Sequence, residues 1–514
     1  MKNIKVLLLY PPEQNWPETM CKPNGSLAYP MLAGALLKAG FEVDIYDACV
    51  GNGDDDLEGV FYKNTPLESG MLRTGVAEDR ILDVVASYDV VGITSIFSHQ
   101  ETMVLRTAKI IKEAFPNKLL ISGGVNARHR IKHFFDNGFD IICMSEAENT
   151  IVEIVRSLKR GDTEFDHIAR IAFMRDEKVI YSKAVEDIFW NLDDLPMPAW
   201  HLLPNERYWK IGRPHGGHFL EGEELRYASM MTSLGCPFSC SFCHIASELK
   251  GSFSGPIGKF RIKSDERVLE EMGILSDLGV KQVFIEDDSL LGKKKRAIRL
   301  IKKIIGMGLD ILDVNGINVI HLVKLDRSTK RFSPDYEVIE TLAAAGFRDI
   351  ALPFESGNAR IIKKYASNKW SLPRVDVSAL IKACNEHSIR VSGNFMIGFP
   401  DETEEEVYNT IEFAKKCMSD GLNAANFFLC MPLPGTPLFD TTIAMGMLPA
   451  DFNPDLMHWQ KANMINTAVP PQKLEEIRDR AWQDVNRPEF RNYKKAMIID
   501  KNTGEIHKKG IIEK

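Results

Sequence analysis

CPFSCSFC, residues 236–243, places Cys236, Cys240 and Cys243 within eight positions of a chain that has nine cysteines in 514 residues. The spacing CxxxCxxC offers three thiols. A structural zinc site closes with four ligands, usually as two pairs, and the sequence contains no second CxxC. Three thiolates suit a [4Fe-4S] cluster in which three irons are held by protein and the fourth stays open to a substrate or cofactor. The plain alternative is three small apolar residues in a core, a poor account of three cysteines at this spacing directly after a strand.

Outward from the motif the chain alternates strands and helices. Strand-like runs at 228–233, 281–286, 311–320, 349–354, 389–397 and 422–430, with helical stretches such as 265–278 and 402–418 between them, predict a TIM-like partial or full α/β barrel of six units. The motif follows the first of these strands, at the end where such a barrel does its chemistry. Upstream, strand-like runs at 4–10, 41–46, 90–96, 119–122 and 140–144 alternate with helices near 29–39, 102–114 and 131–137. Five apolar strands separated by helices predict a doubly wound, Rossmann- or flavodoxin-like parallel sheet covered on both faces. The expected division is this α/β domain over 1–158, a linker over 159–225, the barrel over 226–432 and a small C-terminal region over 433–514. LDDLPMPAWHLLP (192–204) carries too many prolines for a helix or central strand, and a charged, solvated tail begins at Lys494.

Bulk properties bound the function. Apolar residues make up 44% and charged residues 26%, a globular balance. With 64 Lys and Arg against 71 Asp and Glu the net charge is −7, which gives no electrostatic case for nucleic acid. An odd number of cysteines fits a disulfide framework poorly and suits a reducing compartment. The apolar run near the N-terminus is ended by Pro11, Pro12 and Glu13, and no stretch is long and apolar enough for a membrane span. The expectation is a soluble, cytoplasmic protein.

Cys236, Cys240 and Cys243, with Phe242 before the last, resemble the signature of the radical S-adenosylmethionine (SAM) enzymes. Three more segments resemble that family in the right order: FIEDD with Glu286, Asp287 and Asp288, FESG with Glu355, and MIGFPDET (396–403) with Gly398. The resemblance implies a cluster on the three cysteines whose open iron takes the amino and carboxylate groups of SAM. It also implies SAM contacts from Phe242, Glu286, Asp287, Asp288, Glu355, Ser392, Asn394 and Gly398. In the first domain YPP (10–12), GITS (92–95) and SGGV (122–125), then PAW and the later MPLPGTPLFD (431–440), resemble the cobalamin-binding members over about residues 1–440. Cobalamin contacts are then expected at Tyr10, Pro11, Pro12, Ser26, Leu27, Thr94, Ser95, Gly123, Gly124, Val125 and Glu146. The loops after a doubly wound sheet's strands converge at such a crevice, and the glycine pair would admit a planar ring, although a tight strand-to-helix turn also uses glycines. The DxHxxG sequence that gives a histidine to cobalt elsewhere is absent, so His99 and His129 are not expected to be ligands. Ser145 and Ala147 replace glycines common in relatives. Cys143 reads as a buried strand residue, and Cys21, Cys49, Cys384, Cys417 and Cys430 need no function.

The reading this supports is a cobalamin-dependent radical SAM methyltransferase acting on an unactivated carbon of a small metabolite or natural-product intermediate. In the family one SAM supplies a methyl group to cobalamin and a second is cleaved to a 5′-deoxyadenosyl radical that removes a substrate hydrogen. The rival reading keeps the cofactors but performs cyclisation, ring rearrangement or P-methylation; a cluster-bearing electron-transfer or scaffold protein leaves FIEDD and FESG without a ligand. Expected partners are a small-molecule substrate and an external electron donor such as flavodoxin or ferredoxin. Asn315, Asn318, His321 and Asn426 fall on expected barrel strands, where they would face the cavity or satisfy internal polar contacts.

Overall fold

A computed structural model describes residues 4–17, 21–23, 26–162, 164–184, 188–212, 225–249, 253–449, 451–495, 497–499 and 506–508. The chain divides into two units, Met1–His215 with Lys250–Ile257 and Ala496–Lys514, and Gly216–Leu249 with Gly258–Lys495. Part of the expected linker, residues 213–224, and much of the charged tail lie outside the described residues. Within that tail Met497–Ile499 pairs antiparallel with Ile506–Lys508. Among the described residues no helix is long and apolar enough to cross a membrane.

The first unit contains strands β1 (Lys5–Tyr10), β2 (Glu13–Asn15), β3 (Glu42–Asp47), β4 (Thr65–Pro66), β5 (Leu72–Thr74), β6 (Val90–Thr94), β7 (Leu119–Gly123), β8 (Ile141–Cys143), β9 (Ile171–Arg175) and β10 (Lys178–Tyr181). Its helices are α1 (Ala28–Lys38), α2 (Glu78–Val85), α3 (Glu101–Ala114), α4 (Val125–His129), α5 (Ile131–Asp136), α6 (Glu148–Arg160) and α7 (Asn205–Ile211). The seven-stranded sheet runs β10-β9-β8-β7-β6-β1-β3. Its five parallel strands, taken in chain order, lie 2-1-3-4-5, the doubly wound order of flavodoxin-like sheets. Alternation along β1 explains why both faces are dry: Val6 and Leu8 join one buried cluster, Leu7 and Leu9 the other. A separate small sheet pairs β2 with β5, and β5 with β4.

The sheet continues past residue 158, where the sequence suggested a linker. β9 pairs antiparallel with β8 and turns back into β10 through Asp176 and Glu177, both at positive φ (49° and 59°). A two-residue turn with both central residues left-handed matches strand twist, but it is usually announced by Asn-Gly or Asp-Gly, and here it is not. The proline-rich stretch also packs on this unit: Ala199 N donates to Pro30 O (2.8 Å), and Tyr208 OH donates to buried Asp47 (2.7 Å).

The second unit has β11 (Tyr227–Met230), β12 (Ser233–Leu234), β13 (Arg261–Ile262), β14 (Gln282–Ile285), β15 (Asp310–Asp313), β16 (Val323–Leu325), β17 (Phe332–Pro334), β18 (Asp349–Glu355), β19 (Arg390–Ile397) and β20 (Ala424–Leu429). Its helices are α8 (Ile245–Glu248), α9 (Asp265–Asp277), α10 (Lys294–Ile304), α11 (Tyr336–Ala344), α12 (Ala359–Tyr365), α13 (Val377–Glu386), α14 (Glu404–Ser419), α15 (Pro437–Ala444), α16 (Pro471–Val485) and α17 (Pro488–Lys495). The six barrel strands form two parallel three-stranded ladders, β11-β14-β15 and β18-β19-β20. Between them the loop after β15 makes the link, Ile317 N donating to Ala351 O on β18 (2.8 Å). The third strand stops at Asp313, not at residue 320. Asp313 Oδ2 accepts from Gly316 N (2.7 Å), Gly316 takes φ 91°, and a short 3-10 turn follows over Val319–Leu322. Asn315, Asn318 and His321 therefore lie in this connection and not on a strand.

On the outer face of the second ladder Phe354, Phe395 and Phe427 stack at centroid separations of 5.4 and 5.6 Å. The other face carries Ser392, Asn394 and Met396 on β19 beside Asn426 and Phe428 on β20, and most of these are only partly buried. The free edge of β20 is covered by the chain's own C-terminal region. Asn486, just past α16, accepts from Ala425 N (2.8 Å) and donates to Ala425 O (2.7 Å), while Arg478 donates to Phe427 O (3.2 Å).

Candidate active site

The cysteine loop is held on both flanks by buried polar contacts. Entirely buried Asp287, just past β14, accepts from Thr232 N (2.6 Å), Thr232 Oγ1 (2.7 Å) and Ser233 Oγ (2.6 Å), fixing the chain as it leaves β11. Arg296 on α10 donates to Thr232 Oγ1 (3.0 Å) and Lys263 O (2.8 Å). Asp288 accepts from Gly235 N (3.0 Å). Gly235 has φ 75°, and a Cβ there would lie 2.4 Å from Gly258 O, so only glycine makes this entry turn. On the far side Ser241 N donates to Tyr365 O (2.8 Å) and Leu438 N to Ser241 O (2.8 Å). Asp287 thus positions the loop: its oxygens accept from Thr232 and Ser233 and its side chain has no exposure.

Cys240 is buried and Cys236 and Cys243 are partly so. Burial pushes the Cys240 thiol up to about 11 and the Cys243 thiol up to about 12, and raises that of Cys236. Burial therefore favours the neutral thiols, and bound iron would convert them to thiolates. Among the described residues, three metal-ligand atoms come within 4.8 Å of one another at Glu13, Cys21 and Cys49, and not at the motif thiols. The wider motif spacing fits a polynuclear cluster, whose irons are themselves separated, and not a single ion.

Glu355 ends β18 at a register shift in the ladder and takes φ 64°, a conformation costly for a non-glycine residue. Its carboxylate accepts from Lys369 Nζ (2.6 Å), and both side chains are buried. Burial works against the Lys369 ammonium, but Glu355 and the thiols of Cys240 and Cys236 outweigh it and hold its pKa above the ordinary lysine value. Lys369 thus brings positive charge to the cysteine loop. Sequence reading did not single it out, because it lies on an irregular segment after α12 with no motif around it.

The remaining strand-end residues fall into two groups. Glu286 follows β14, with its carboxyl raised by burial and eased by a hydrogen bond to Ser229, while Asn315 Nδ2 donates to the Glu286 carbonyl (2.8 Å). Asn394 and Ser392 lie on the partly buried face of β19, with Asn426 donating to Asn394 Oδ1 (3.1 Å). Gly398 (φ 84°) and Phe399 both donate from backbone N to buried Glu402, whose carboxyl burial pushes up to about 7. Glu402 was also missed by sequence reading; it shapes the GFP turn from within. Phe242 packs 6.0 Å from Phe399, which stacks on Tyr365 at 4.7 Å.

In the first unit the sheet order reverses between β1 and β6, the place where doubly wound sheets bind ligands. The Tyr29 hydroxyl bridges the parting strands, donating to Leu9 O (2.6 Å) and accepting from Thr94 N (3.1 Å), and its ring meets Tyr10 edge-on at 5.5 Å. Ser26 and Leu27 lead into α1 beside it, Ser26 Oγ accepting from Ala28 N (3.3 Å). After β6, Ser95 is buried, whereas Ile96 and Phe97 are 37% and 52% exposed. Two adjacent apolar side chains left in solvent at a sheet's carboxyl edge fit a large, partly apolar ligand.

The glycine pair divides in role. A Cβ at Gly124 (φ 95°) would lie 2.4 Å from Ser95 O, so the protein's own turn into Val125 and α4 already requires glycine there. A Cβ at Gly123 would meet only ordinary contact with Cys143, at 3.5 Å, so the protein does not need glycine there and a close ligand could. Pro11 O accepts from Cys49 Sγ (3.4 Å), and Pro12 is buried. Glu146 already accepts from Phe189 N (3.1 Å). Burial pushes the His99 imidazole down to about 4. These residues fit a corrinoid at the carboxyl edge, held chiefly by backbone and apolar contact.

Residues 230–414 match the Radical SAM superfamily. The chain is 29% identical over 444 residues to an uncharacterized methyltransferase of Pyrococcus horikoshii, covering 84% of this chain and 86% of that one. It is 27% identical over 476 residues to the cytidylyl-2-hydroxyethylphosphonate methyltransferase of Streptomyces wedmorensis, covering 86% and 82%. In fold it resembles the cobalamin-dependent S-adenosylmethionine radical enzyme OxsB, solved with aqua-cobalamin and S-adenosylmethionine bound, at 13% identity with a TM-score of 0.66 over 96% of this chain and 70% of that one.

Proposed function

We propose that this chain, a cobalamin-binding radical SAM enzyme, is a methyltransferase that acts on an unactivated carbon of a small metabolite or natural-product intermediate. The observation that carries this is the coexistence in one chain of a three-thiol loop at the end of the first barrel strand and a 2-1-3-4-5 sheet whose order reverses between β1 and β6, with 86% of this chain aligned to a named methyltransferase. When bound, the cluster with SAM supplies an adenosyl radical and cobalamin supplies a transferable methyl group.

The chain's own residues bind and orient. Cys236, Cys240 and Cys243 hold the cluster on a loop that Asp287, Asp288 and Arg296 keep in place. Glu355, fixed by Lys369, presents its carboxylate to the polar end of SAM, with Glu286 at the end of β14 and Gly398 at the end of β19. Ser392, Asn394 and Asn426 offer donors and acceptors to a polar substrate. In the first unit Gly123, Thr94, Ile96 and Phe97 receive the corrin, and no histidine is assigned to cobalt. A one-electron donor such as flavodoxin or ferredoxin supplies the two electrons that each turnover consumes.

The test is anaerobic turnover of candidate substrates with SAM labelled on its methyl carbon. Methyl transfer requires S-adenosylhomocysteine and 5′-deoxyadenosine in nearly equal amounts and label in the product. Formation of 5′-deoxyadenosine coupled to product, without S-adenosylhomocysteine or label, would overturn methyl transfer in favour of cyclisation or rearrangement.

A further inference from the structure

Away from the motif thiols, the first unit gathers two more cysteines and a carboxylate. Cys21 and Cys49 are 3% and 0% exposed, and their sulfur atoms lie with a Glu13 carboxylate oxygen all within 4.8 Å of one another. Cys21 Sγ donates to Glu13 Oε2 at 2.9 Å. Zinc holds thiolate sulfur at about 2.3 Å and carboxylate oxygen at about 2.0–2.2 Å in a tetrahedron, which sets the ligand atoms roughly 3.5–4 Å apart. The three atoms are therefore already near the spacing that one such ion demands.

The frame around them is built. Glu13 lies on β2, opposite Thr74 of β5. Cys49 follows β3, its backbone N bonded to Asp47 (2.8 Å) and its sulfur to Pro11 O (3.4 Å), while Ala48 N bonds to Tyr10 O (2.9 Å). Cys21 reaches in from the connection between β2 and α1. Zinc at +2 offsets most of the −3 that two thiolates and a carboxylate carry, and buried Arg73, which feels Cys49 electrostatically and is tied by its guanidinium to Gly75 O (3.2 Å) and Val76 O (2.5 Å), adds positive charge to set against the Asp47 carboxyl.

We propose that Glu13, Cys21 and Cys49 bind a zinc ion, with the fourth position left to water or an exogenous ligand. Soft thiolates in a tetrahedral set select zinc over magnesium or calcium. Binding converts both thiols to thiolates and releases their protons to solvent. A bare thiol pair would suit a disulfide equally, but a disulfide makes no use of the carboxylate aimed at Cys21. None of the three ligands is assigned to cluster, SAM or corrin, although the frame shares the backbone carbonyls of Tyr10 and Pro11 with the expected corrin contacts, so zinc content can be read separately from methyl transfer.

The full-length enzyme, isolated anaerobically and reconstituted with cluster and cobalamin, should hold one zinc per chain by elemental analysis. Cys21→Ser and Cys49→Ser should each abolish it while iron and cobalamin stay at the parent stoichiometry. Isosteric Glu13→Gln should weaken zinc by more than the roughly 10- to 100-fold that a supporting group outside the ligand set is worth. In a full-length chain with Cys236, Cys240 and Cys243 changed to alanine, added cobalt(II) should give thiolate-to-cobalt charge-transfer absorption that disappears on adding Cys21→Ser. Zinc retained in both serine variants, cobalt absorption indifferent to Cys21→Ser, or an anaerobic intact mass two hydrogens light from a Cys21–Cys49 disulfide would each overturn the assignment.

Discussion

Replacing Lys369 by methionine keeps the length of the side chain and removes its charge, leaving the Glu355 carboxylate buried without the partner 2.6 Å away. Removing one member of a buried pair costs about 3–5 kcal/mol, because the remaining charge stays desolvated. Glu355 is also held at φ 64°, a strain of roughly 1–3 kcal/mol that the ion pair helps to hold. Local opening of β18 should therefore become easier. Amide hydrogen exchange read by mass spectrometry over Asp349–Glu355 should accelerate roughly a hundred- to several-thousand-fold, at about 1.4 kcal/mol per factor of ten. Adding Glu355→Gln should recover most of the loss, since the second variant no longer buries an unpaired charge. Exchange within about threefold of the parent in Lys369→Met, or a double variant no more protected than the single one, would refute the claim that this pair holds Glu355 in place.

Asp287→Asn puts an amide against Thr232 N and two hydroxyls that now donate to a carboxylate; the unmatched donors should cost at least about 1–3 kcal/mol, and iron bound per chain after reconstitution should fall. Gly123→Ala and Gly124→Ala should separate: the second lowers the melting temperature through its clash with Ser95 O, whereas the first leaves stability near parent and weakens cobalamin binding in equilibrium dialysis. In cluster-free protein, alkylation of Cys240 and Cys243 should keep quickening as pH rises above 9, because burial raises both thiols to about 11 and 12; rates that level off by pH 9 would contradict this. Asp313, which burial raises to about 7, binds more protons folded than unfolded between about pH 4 and 7, so its contribution is full at low pH and lost as pH rises through 7. Exchange of β15, corrected for intrinsic rates, should show that loss, and Asp313→Asn should remove it.

What the sequence reveals depends on how far apart the cooperating residues lie. The cysteine loop is legible because its three ligands fit in eight positions and follow a strand. Of the adjacent acids in FIEDD, spacing cannot tell which turns inward; the structure buries Asp287 completely and leaves Glu286 partly open, a choice made by packing against Thr232 and Ser233. The apolar run past Gly316 makes the third barrel strand look longer than it is, because nothing in it shows that Asp313 caps a turn there. β9 and β10 stayed hidden because Asp176-Glu177 is not a turn signal. Lys369 and the Cys21–Cys49 pair carry no local pattern at all: the first is placed by folding after α12, and the second joins residues 49 − 21 = 28 positions apart.

The clasp of Asn486 on Ala425 has a consequence for how the barrel avoids self-association. β20 ends a parallel ladder, and an end strand with unpaired amides and carbonyls is a template onto which another chain can grow. A single asparagine side chain offers one acceptor and one donor in the arrangement of a peptide group, so it answers Ala425 as a neighbouring strand would, while Arg478 takes the carbonyl of Phe427 two residues on. Alternate positions of that edge are thus occupied by side chains from α16 and the residue just past it, which cannot propagate pairing any further. A fragment ending after α15 would keep every motif read for its cofactors and still expose this template. Its first failure would be aggregation, with the chemistry never tested.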